Sequence, residues 1–350
     1  MKLLERLVRT PGVPGREARV RAVIEEHILK AGIFDEVRTD ALGSLIGLRH
    51  PRPSSGPPSD KPTRILLAAH MDQIGFLVSH ITPDGLLYLL PVGWFDVRTL
   101  LARQVTVCTE GGGDLPGILL APGRPMQIAS SDDMKKLPET TGLYVDLSMS
   151  GEAVRKKVRP GDMVVLDTEF GEIGRSVVGA ALDDRVGCWV LIRALEGLTH
   201  HDCEIYAVWT TQEELGSRGA GPVAAGYAAE IGISCDTIAS CNVPGVPGHE
   251  HISQLGDGVS LVIADGTTLS DMSLVAEFEQ LAAELGIKCQ RSLISGGGQD
   301  GAMIQRSRQG VKTIVLSCPV KNMHTAVEMV NKSDLASYRQ LITAFLSKAA

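Results

Sequence analysis

The sequence predicts an α/β protein in which a mixed-sheet domain is interrupted by an inserted all-β domain. After Val177, apolar strand-like runs alternate with helical runs, which is typical of βαβ units with helices on both faces of a sheet. From Ile74 to about Asp167, short apolar runs are instead separated by glycine, proline and aspartate turns, which is typical of an all-β module. We therefore predict an α/β domain over 1–73 and 168–350 and a β domain over 74–167.

The chain before the insertion supplies one predicted helix and three predicted strands. A helical pattern over 16–31 follows a Pro-Gly-Val-Pro-Gly turn, and strand-like runs lie near 36–39 and 44–49. Nine of the twelve residues in 51–62 are proline, glycine or serine, which cannot hold a helix or a central strand, so we predict an exposed loop. The run 64–69 is a buried strand that leads directly into His70.

The elements predicted after the insertion alternate between helix and strand. The predicted helices cover 184–195, 218–229, 271–285 and 300–307, and the predicted strands cover 203–210, 231–236, 259–264, 288–293 and 312–317. Helix 184–195 is apolar nearly all round, so we expect it to be buried.

Composition excludes several classes of function. The chain has 350 residues, of which 44% are apolar and 21% charged, which is ordinary for a globular enzyme and too apolar for a disordered chain. The longest apolar runs are far shorter than a membrane span, and charged residues near the N-terminus argue against a signal peptide. The short apolar runs give no reason to expect a membrane as a partner. Because the net charge is −7 and basic residues occur at most in pairs or triads, we do not expect a nucleic acid as a partner either.

Cysteine usage favours a reducing compartment. The seven cysteines form no Cys-x-x-Cys pair, their number is odd, and most lie in apolar runs where a free thiol behaves as a small hydrophobe. We therefore expect a cytoplasmic protein.

Five short segments place acidic residues or histidines at the ends of predicted apolar elements. They are His70-Met71-Asp72 after strand 64–69, Asp183-Asp184 at the start of helix 184–195, Glu213-Glu214 after strand 203–210, Asp236 at the end of strand 231–236, and His324 after the last strand. All five lie in the predicted α/β domain, where open sheets bind ligands beyond the carboxyl ends of their strands.

Each segment alone also has an ordinary structural explanation. A histidine and an aspartate at a strand end can simply be solvated, and an aspartate pair at a helix start can cap the helix and interact with its dipole. The glutamate pair fits a solvated loop as well as it fits a metal ligand beside an acid–base group. A lone Asp236 or a lone His324 is more often structural than a ligand.

The whole set supplies two histidines and several carboxylates, a mixed nitrogen and oxygen donor set that suits Zn²⁺, Co²⁺ or Mn²⁺. A two-metal centre needs a bridging carboxylate, terminal ligands for each ion and a separate base, and this inventory suffices for all three. Competing motifs are weak. The glycine-rich runs 216–221 and 295–300 lack the features of a phosphate loop and are interpreted as turns, and neither a nucleophile elbow nor a catalytic cysteine signature occurs.

The ordered set resembles the M42 metallopeptidases, the group of glutamyl aminopeptidases and tetrahedral (TET) aminopeptidases. The resemblance covers nearly the whole chain and rests on His70-x-Asp72, Leu182-Asp183-Asp184-Arg185-x-Gly187, Glu213-Glu214-x-Gly216-x-Arg218-Gly219-Ala220, Asp236 and His324. It implies that His70 and Asp236 complete one metal site, that Glu214 and His324 complete the other, and that Asp183 bridges them. It further implies that Glu213 is the general base and that Asp72 orients His70.

The same resemblance implies an aminopeptidase that removes N-terminal residues from short peptides with two divalent ions, zinc first and cobalt or manganese as alternatives. It implies that the inserted β domain serves for dimerisation or as a lid, within a homo-oligomer ranging from a dimer to a dodecamer. We expect the five metal ligands to converge in one pocket.

Three positions depart from the family pattern, and two other functions remain open. Gln73 follows His-x-Asp where the family usually has glutamate, Asn242 stands where it has a second aspartate, and Lys321-Asn322-Met323 precedes His324 where Arg-Tyr is usual. These departures bear on substrate preference. The alternatives are a related metallohydrolase acting on N-acyl amino acids, which could use the same ligands, and a metal-free assembly or binding protein.

Overall fold

A computed structural model gives the fold and describes residues 1–111, 113–133, 135–167 and 169–349. The helices are α1 (Lys2–Arg9), α2 (Ala18–Ala31), α3 (Gly151–Lys157), α4 (Leu182–Gly197), α5 (Ala220–Gly226), α6 (Met272–Leu285), α7 (Gly301–Gln305) and α8 (Lys332–Lys348). The strands are β1 (Glu36–Thr39), β2 (Leu45–Arg49), β3 (Arg64–His70), β4 (Gly75–Ile81), β5 (Leu87–Val92), β6 (Arg103–Cys108), β7 (Leu115–Leu120), β8 (Tyr144–Asp146), β9 (Met163–Leu166), β10 (Gly171–Ile173), β11 (Ser176–Gly179), β12 (Glu204–Thr210), β13 (Ile231–Ala239), β14 (Val259–Ala264), β15 (Cys289–Leu293), β16 (Lys312–Lys321) and β17 (Glu328–Asn331).

Eleven strands form one mixed sheet, in the order β1-β2-β12-β3-β13-β16-β17-β11-β10, with β14 pairing to β16 and to β15. The central strands β12, β3, β13 and β16 are parallel neighbours, so their carboxyl ends meet at one edge of the sheet. His70 pairs with Thr210 in the register of β3 and β12. The predicted mixed-sheet α/β fold is confirmed, and the parallel strands place the predicted site segments at a common edge.

Helices cover both faces of this sheet. Thirteen residues of helix α4 are buried, and nine of them, including Trp189, Leu191 and Leu195, belong to the main hydrophobic core, as the all-round apolar sequence predicts. Helix α8 was not assigned from the sequence, although its buried residues are spaced as on one face of an amphipathic helix. These residues are Leu335, Tyr338, Leu341, Ile342 and Phe345.

The remaining six strands form a small closed antiparallel barrel in the order β4-β5-β8-β7-β6-β9. Strands β4 and β9 pair through Phe76 and Val164, so the chain enters and leaves the barrel side by side. The segment is not all-β, because α3 lies within it. Helix α3 is capped at its start by Ser150 Oγ, which accepts a hydrogen bond from the N–H of Ala153, and the last turn of this helix is basic. Thr168, where the α/β domain is predicted to resume, lies outside the described residues.

Three expectations about the rest of the chain can be compared with the structure. The 51–62 segment is mostly exposed and forms neither a helix nor a regular strand. All seven cysteines are free thiols, and six of them are buried. None of the helices in the described part of the chain combines the length and the apolar character that a membrane span requires.

Candidate metal centre

Strands β3 and β13 bring the first two predicted ligands to the sheet edge. His70 is the last residue of β3, and Asp236 lies in β13 two residues beyond Ser234, which pairs with Ala68. Both side chains are buried, with 2% and 5% of their residues' surface exposed. Strand β13 continues to Ala239, three residues further than predicted, so Asp236 lies within the strand rather than at its end.

The two aspartates at the start of α4 have different contacts, one typical of a helix cap and the other of a metal ligand. Asp184 is fully buried, and its carboxylate accepts hydrogen bonds from the N–H of Gly187 at 2.9 Å and of His70 at 3.2 Å. It therefore caps the helix. Asp183, whose backbone is not helical, directs its carboxylate toward both predicted histidine ligands.

The five predicted ligands form two groups that share Asp183. In the first group, His70 Nε2 lies 3.3 Å from Asp183 Oδ1 and 3.9 Å from Asp236 Oδ1. In the second, His324 Nε2 lies 3.3 Å from Asp183 Oδ2 and 3.6 Å from Glu214 Oε2. A tetrahedral ion with ligands about 2.0–2.2 Å away separates neighbouring ligand atoms by about 3.3–3.6 Å. The spacing thus fits two divalent ions bridged by one carboxylate.

Charge and hydrogen bonding in the two groups also fit metal ions. Asp183 Oδ1 is buried and accepts no hydrogen bond from the described residues. Burial raises the pKa of Asp236 well above its usual range and that of Glu214 to about 7. Burial lowers the pKa of His324, but the hydrogen bond to Asp183 and the charges of Asp183, Glu214 and Glu328 outweigh this effect and raise the pKa to about 10. So much buried negative charge requires compensation, which divalent cations provide.

His70 is held in the tautomer that a metal ligand needs. Its Nδ1 lies 3.0 Å from the backbone oxygen of Asp72. Because a carbonyl oxygen only accepts, Nδ1 carries the hydrogen and the lone pair of Nε2 faces Asp183 and Asp236. The carboxylate of Asp72 is further away, with Oδ1 at 3.7 Å from Nδ1. The contact between Asp72 and His70 therefore runs mainly through the backbone.

The Asp72 carboxylate instead holds the turn that carries the glutamate pair. It accepts hydrogen bonds from the N–H groups of Glu213 and Glu214, both at 3.0 Å. A single 3₁₀ turn over Glu213–Leu215 directs the two side chains to different partners. Glu214 joins the second ligand group, whereas Glu213 belongs to neither group and accepts a hydrogen bond from Ser217 Oγ at 2.9 Å.

A cavity of about 690 Å³ opens in front of the two groups. Glu213 and the five ligands belong to its lining. The rest of the lining is largely apolar and includes Ile238, Val262, Ile294 and Met303, together with the charged residues Asp265 and Arg306. The cavity has room for a few amino-acid side chains next to the metal ligands.

Three buried carboxylates near the site were not predicted as functional. Glu328 accepts hydrogen bonds from the N–H groups of Asp183 and His324. Asp300 accepts one from the Thr210 hydroxyl, and burial raises its pKa to about 6. Glu17 accepts hydrogen bonds from backbone N–H groups of both the 12–17 and 211–215 loops. The only sequence signals were the position of Glu328 shortly after His324 and the position of Asp300 directly after the 295–299 glycine run.

The three departures from the family pattern make local contacts. Gln73 Oε1 accepts a hydrogen bond at 3.3 Å from the buried guanidinium of Arg185. Asn242 Oδ1 accepts hydrogen bonds from the Ser240 hydroxyl and the Leu255 N–H, both at 2.7 Å. Met323 lines the cavity beside His324. Of the three departures, only the last therefore contributes a side chain to the cavity wall.

Comparison with known proteins agrees with this geometry. Residues 55–341 match the model of the M42 glutamyl aminopeptidase family. The chain is 29% identical to a lysyl aminopeptidase of Pyrococcus furiosus over 99% of this chain and 96% of that protein. Among solved structures, an aminopeptidase from the archaeon Desulfurococcus kamchatkensis is 32% identical with a TM-score of 0.92, covering 100% of this chain and 94% of that one.

A further solved structure is the TET1 peptidase of Pyrococcus horikoshii, which can assemble into a tetrahedron or a large octahedral shell. It is 30% identical with a TM-score of 0.84, and 99% of each chain is covered. The match to the family model spans most of the 350 residues. The two ligand groups that share Asp183 are consistent with a metallopeptidase. The chain belongs to the M42 glutamyl aminopeptidase family.

Proposed function

We propose that this protein is a two-metal aminopeptidase that hydrolyses the N-terminal residue from short peptides. The observation that carries the proposal is the sharing of Asp183, whose two carboxylate oxygens each face one histidine at 3.3 Å. A carboxylate bridging two ions is the arrangement that two-metal hydrolases use. The related aminopeptidases support the peptide-bond specificity.

In this proposal, His70 and Asp236 hold one ion, Glu214 and His324 hold the other, and Asp183 bridges them. The mixed nitrogen and oxygen donors suit zinc, with cobalt or manganese as alternatives. When bound, the ions polarise the scissile carbonyl and acidify the attacking water.

Glu213 acts as the general base. It faces the same cavity as the ligands but belongs to neither ligand group, so its carboxylate is free to exchange a proton. It takes a proton from the attacking water and returns it to the nitrogen of the leaving peptide. Ser217 holds one oxygen of Glu213 in place, and Asp72 fixes the backbone of the turn and the tautomer of His70.

The division into domains is part of the proposal. Residues 1–73 and 168–350 form the catalytic domain, and 74–167 form an inserted domain for dimerisation or as a lid. The side-by-side pairing of β4 and β9 supports the insertion. We further propose a homo-oligomer, ranging from a dimer to a dodecamer, on the basis of the TET1 peptidase assemblies, and a cytoplasmic location, which the free cysteines favour. A strict monomer in light scattering at micromolar concentration would contradict the oligomer.

The function is tested by metal reconstitution and substrate choice together. Chelated protein should be inactive, and zinc, cobalt or manganese should restore hydrolysis as two ions bind per chain. The restored enzyme should cleave peptides with a free N-terminus and spare the same peptides after N-acetylation. Preference for the acetylated series would favour the N-acyl hydrolase. Absence of both metal binding and hydrolysis would favour a binding or assembly protein.

A further inference from the structure

Glu328 is a buried carboxylate that contacts the backbone of two proposed metal ligands. It is the first residue of β17 and only 2% exposed. Its Oε2 accepts a hydrogen bond from the N–H of Asp183 at 3.0 Å, and its Oε1 accepts one from the N–H of His324 at 2.8 Å. One carboxylate therefore joins the bridging ligand to the histidine of the second group.

Neither N–H has a partner from regular secondary structure. Asp183 lies in the first turn of α4, where no preceding turn supplies an acceptor. His324 has φ = +60°, a left-handed conformation that is unfavourable for a residue other than glycine. The two oxygens of Glu328 each accept one of these N–H groups, which would otherwise be buried without a partner.

The position of Glu328 is itself fixed by the sheet. Strand β17 pairs with β11 through Glu328 and Gly179, and with β16 through Val330 and Val320. The backbone of Glu328 is therefore fixed in the sheet, and its two hydrogen bonds link Asp183 and His324 to that sheet. Asp72 makes the same type of contact on the other side of the site, where it accepts the N–H groups of Glu213 and Glu214.

We propose that Glu328 is a positioning residue that holds Asp183 and His324 at the separation the two-metal site requires. The inference rests on the proposed function and adds a residue that touches neither the ions nor the substrate. Loss of a hydrogen-bonding group behind metal ligands typically weakens metal binding about 10- to 100-fold. Glu328→Gln keeps one acceptor oxygen but turns an NH₂ group toward one of the two N–H donors, so one of the two hydrogen bonds is lost.

Asp334 offers a matched control. It is 1% exposed, and its two carboxylate oxygens accept the N–H groups of Gly256 and Gly258 at 2.8 and 3.0 Å. Within the described part of the chain, its side-chain hydrogen-bond partners are Gly256, Gly258 and Ser333, none of which belongs to the site. Asp334→Asn therefore removes the same kind of contact without touching the metal centre.

The experiment is a calorimetric titration of chelated wild-type, Glu328→Gln and Asp334→Asn proteins with Zn²⁺ and with Co²⁺, together with thermal unfolding of the metal-free forms. We expect Glu328→Gln to weaken at least one of the two binding events 10-fold or more, and Asp334→Asn to change neither. Excess metal should restore most of kcat in Glu328→Gln. Should Glu328→Gln fail to fold, Glu328→Asp, which keeps the carboxyl group on a shorter side chain, is titrated under the same criterion.

The possible failures are distinguishable. If wild-type protein binds no metal, the proposed function is wrong. If wild-type protein binds two ions and the Glu328 variant binds both with unchanged affinity, Glu328 has only a structural role, whatever its effect on thermal unfolding.

Discussion

Replacing Glu213 by glutamine separates proton transfer from metal binding at this site. Glutamine keeps the oxygen that accepts the Ser217 hydrogen bond at 2.9 Å, and Glu213 belongs to neither ligand group. Fold and metal content should therefore be unchanged. An amide cannot accept the proton of the attacking water, and a general base typically contributes about 10²- to 10⁴-fold in rate. We expect kcat to fall by this factor, equivalent to about 3–5 kcal/mol of activation free energy.

The adjacent Glu214→Gln is the matched control. Glu214 Oε2 lies 3.6 Å from His324 Nε2 within the second ligand group, so this variant should lose affinity for one ion and regain part of its activity in excess metal. The assay combines elemental analysis of dialysed protein with kinetics on a free-N-terminal peptide at increasing metal concentration. If Glu213→Gln loses metal while Glu214→Gln retains it, the two roles must be exchanged. If neither change lowers activity, the hydrolase mechanism is wrong.

Three further predictions concern substrate charge, pH and packing. Arg306 lines the cavity, and its Nε donates a hydrogen bond to the backbone oxygen of Ala302 rather than to a carboxylate. Arg306→Glu should therefore shift the kcat/KM ratio about 10-fold from peptides that begin with glutamate toward those that begin with lysine. Arg308→Glu, outside the cavity lining, should leave this ratio nearly unchanged. Burial raises the pKa of Glu17 from 4.5 to about 7, so its contribution to stability is present below about pH 4.5 and is lost as the pH rises through 7. In urea unfolding, the free energy of unfolding of Glu17→Gln should equal that of wild type near pH 4.5 and exceed it by up to about 3 kcal/mol near pH 8. A difference that does not change with pH would contradict the argument. A Cβ at Gly187 would clash with the carboxylate oxygens of Asp184. Gly187→Ala should therefore lower the free energy of unfolding by about 2 kcal/mol, although alanine has the higher helix propensity. An unchanged melting temperature would refute this prediction.

Most of the long apolar elements were predicted from the sequence, with the 17-residue α8 as an exception, and several short ones were missed. Strand β14 has the predicted bounds, and α6 differs from its prediction by one residue at its start. Strand β17 has four residues and β10 has three, which is too few positions to establish an alternating pattern. Helix α1 was also missed, although its buried residues Leu4, Leu7 and Val8 have helical spacing.

The candidate site was also predicted only in part. The residue types and their places at the ends of strands predicted a mixed nitrogen and oxygen metal centre, but not the hydrogen bonds behind it. Glu328 was missed because its two partners, Asp183 and His324, belong to segments that only the folded chain brings together. The general-base role of Glu213 stays a prediction that the variants above test.

The sequence by itself determined the α/β fold class, the interrupting β-rich segment and the donor types, because hydrophobic periodicity and turn residues are local properties of the chain. Only the tertiary structure decided that β3 lies between β12 and β13, which brings His70 next to Asp236. It also decided that Asp183 faces the histidines whereas Asp184 caps a helix. Strand order and side-chain direction depend on pairing between distant segments, and no local pattern of residues encodes that pairing.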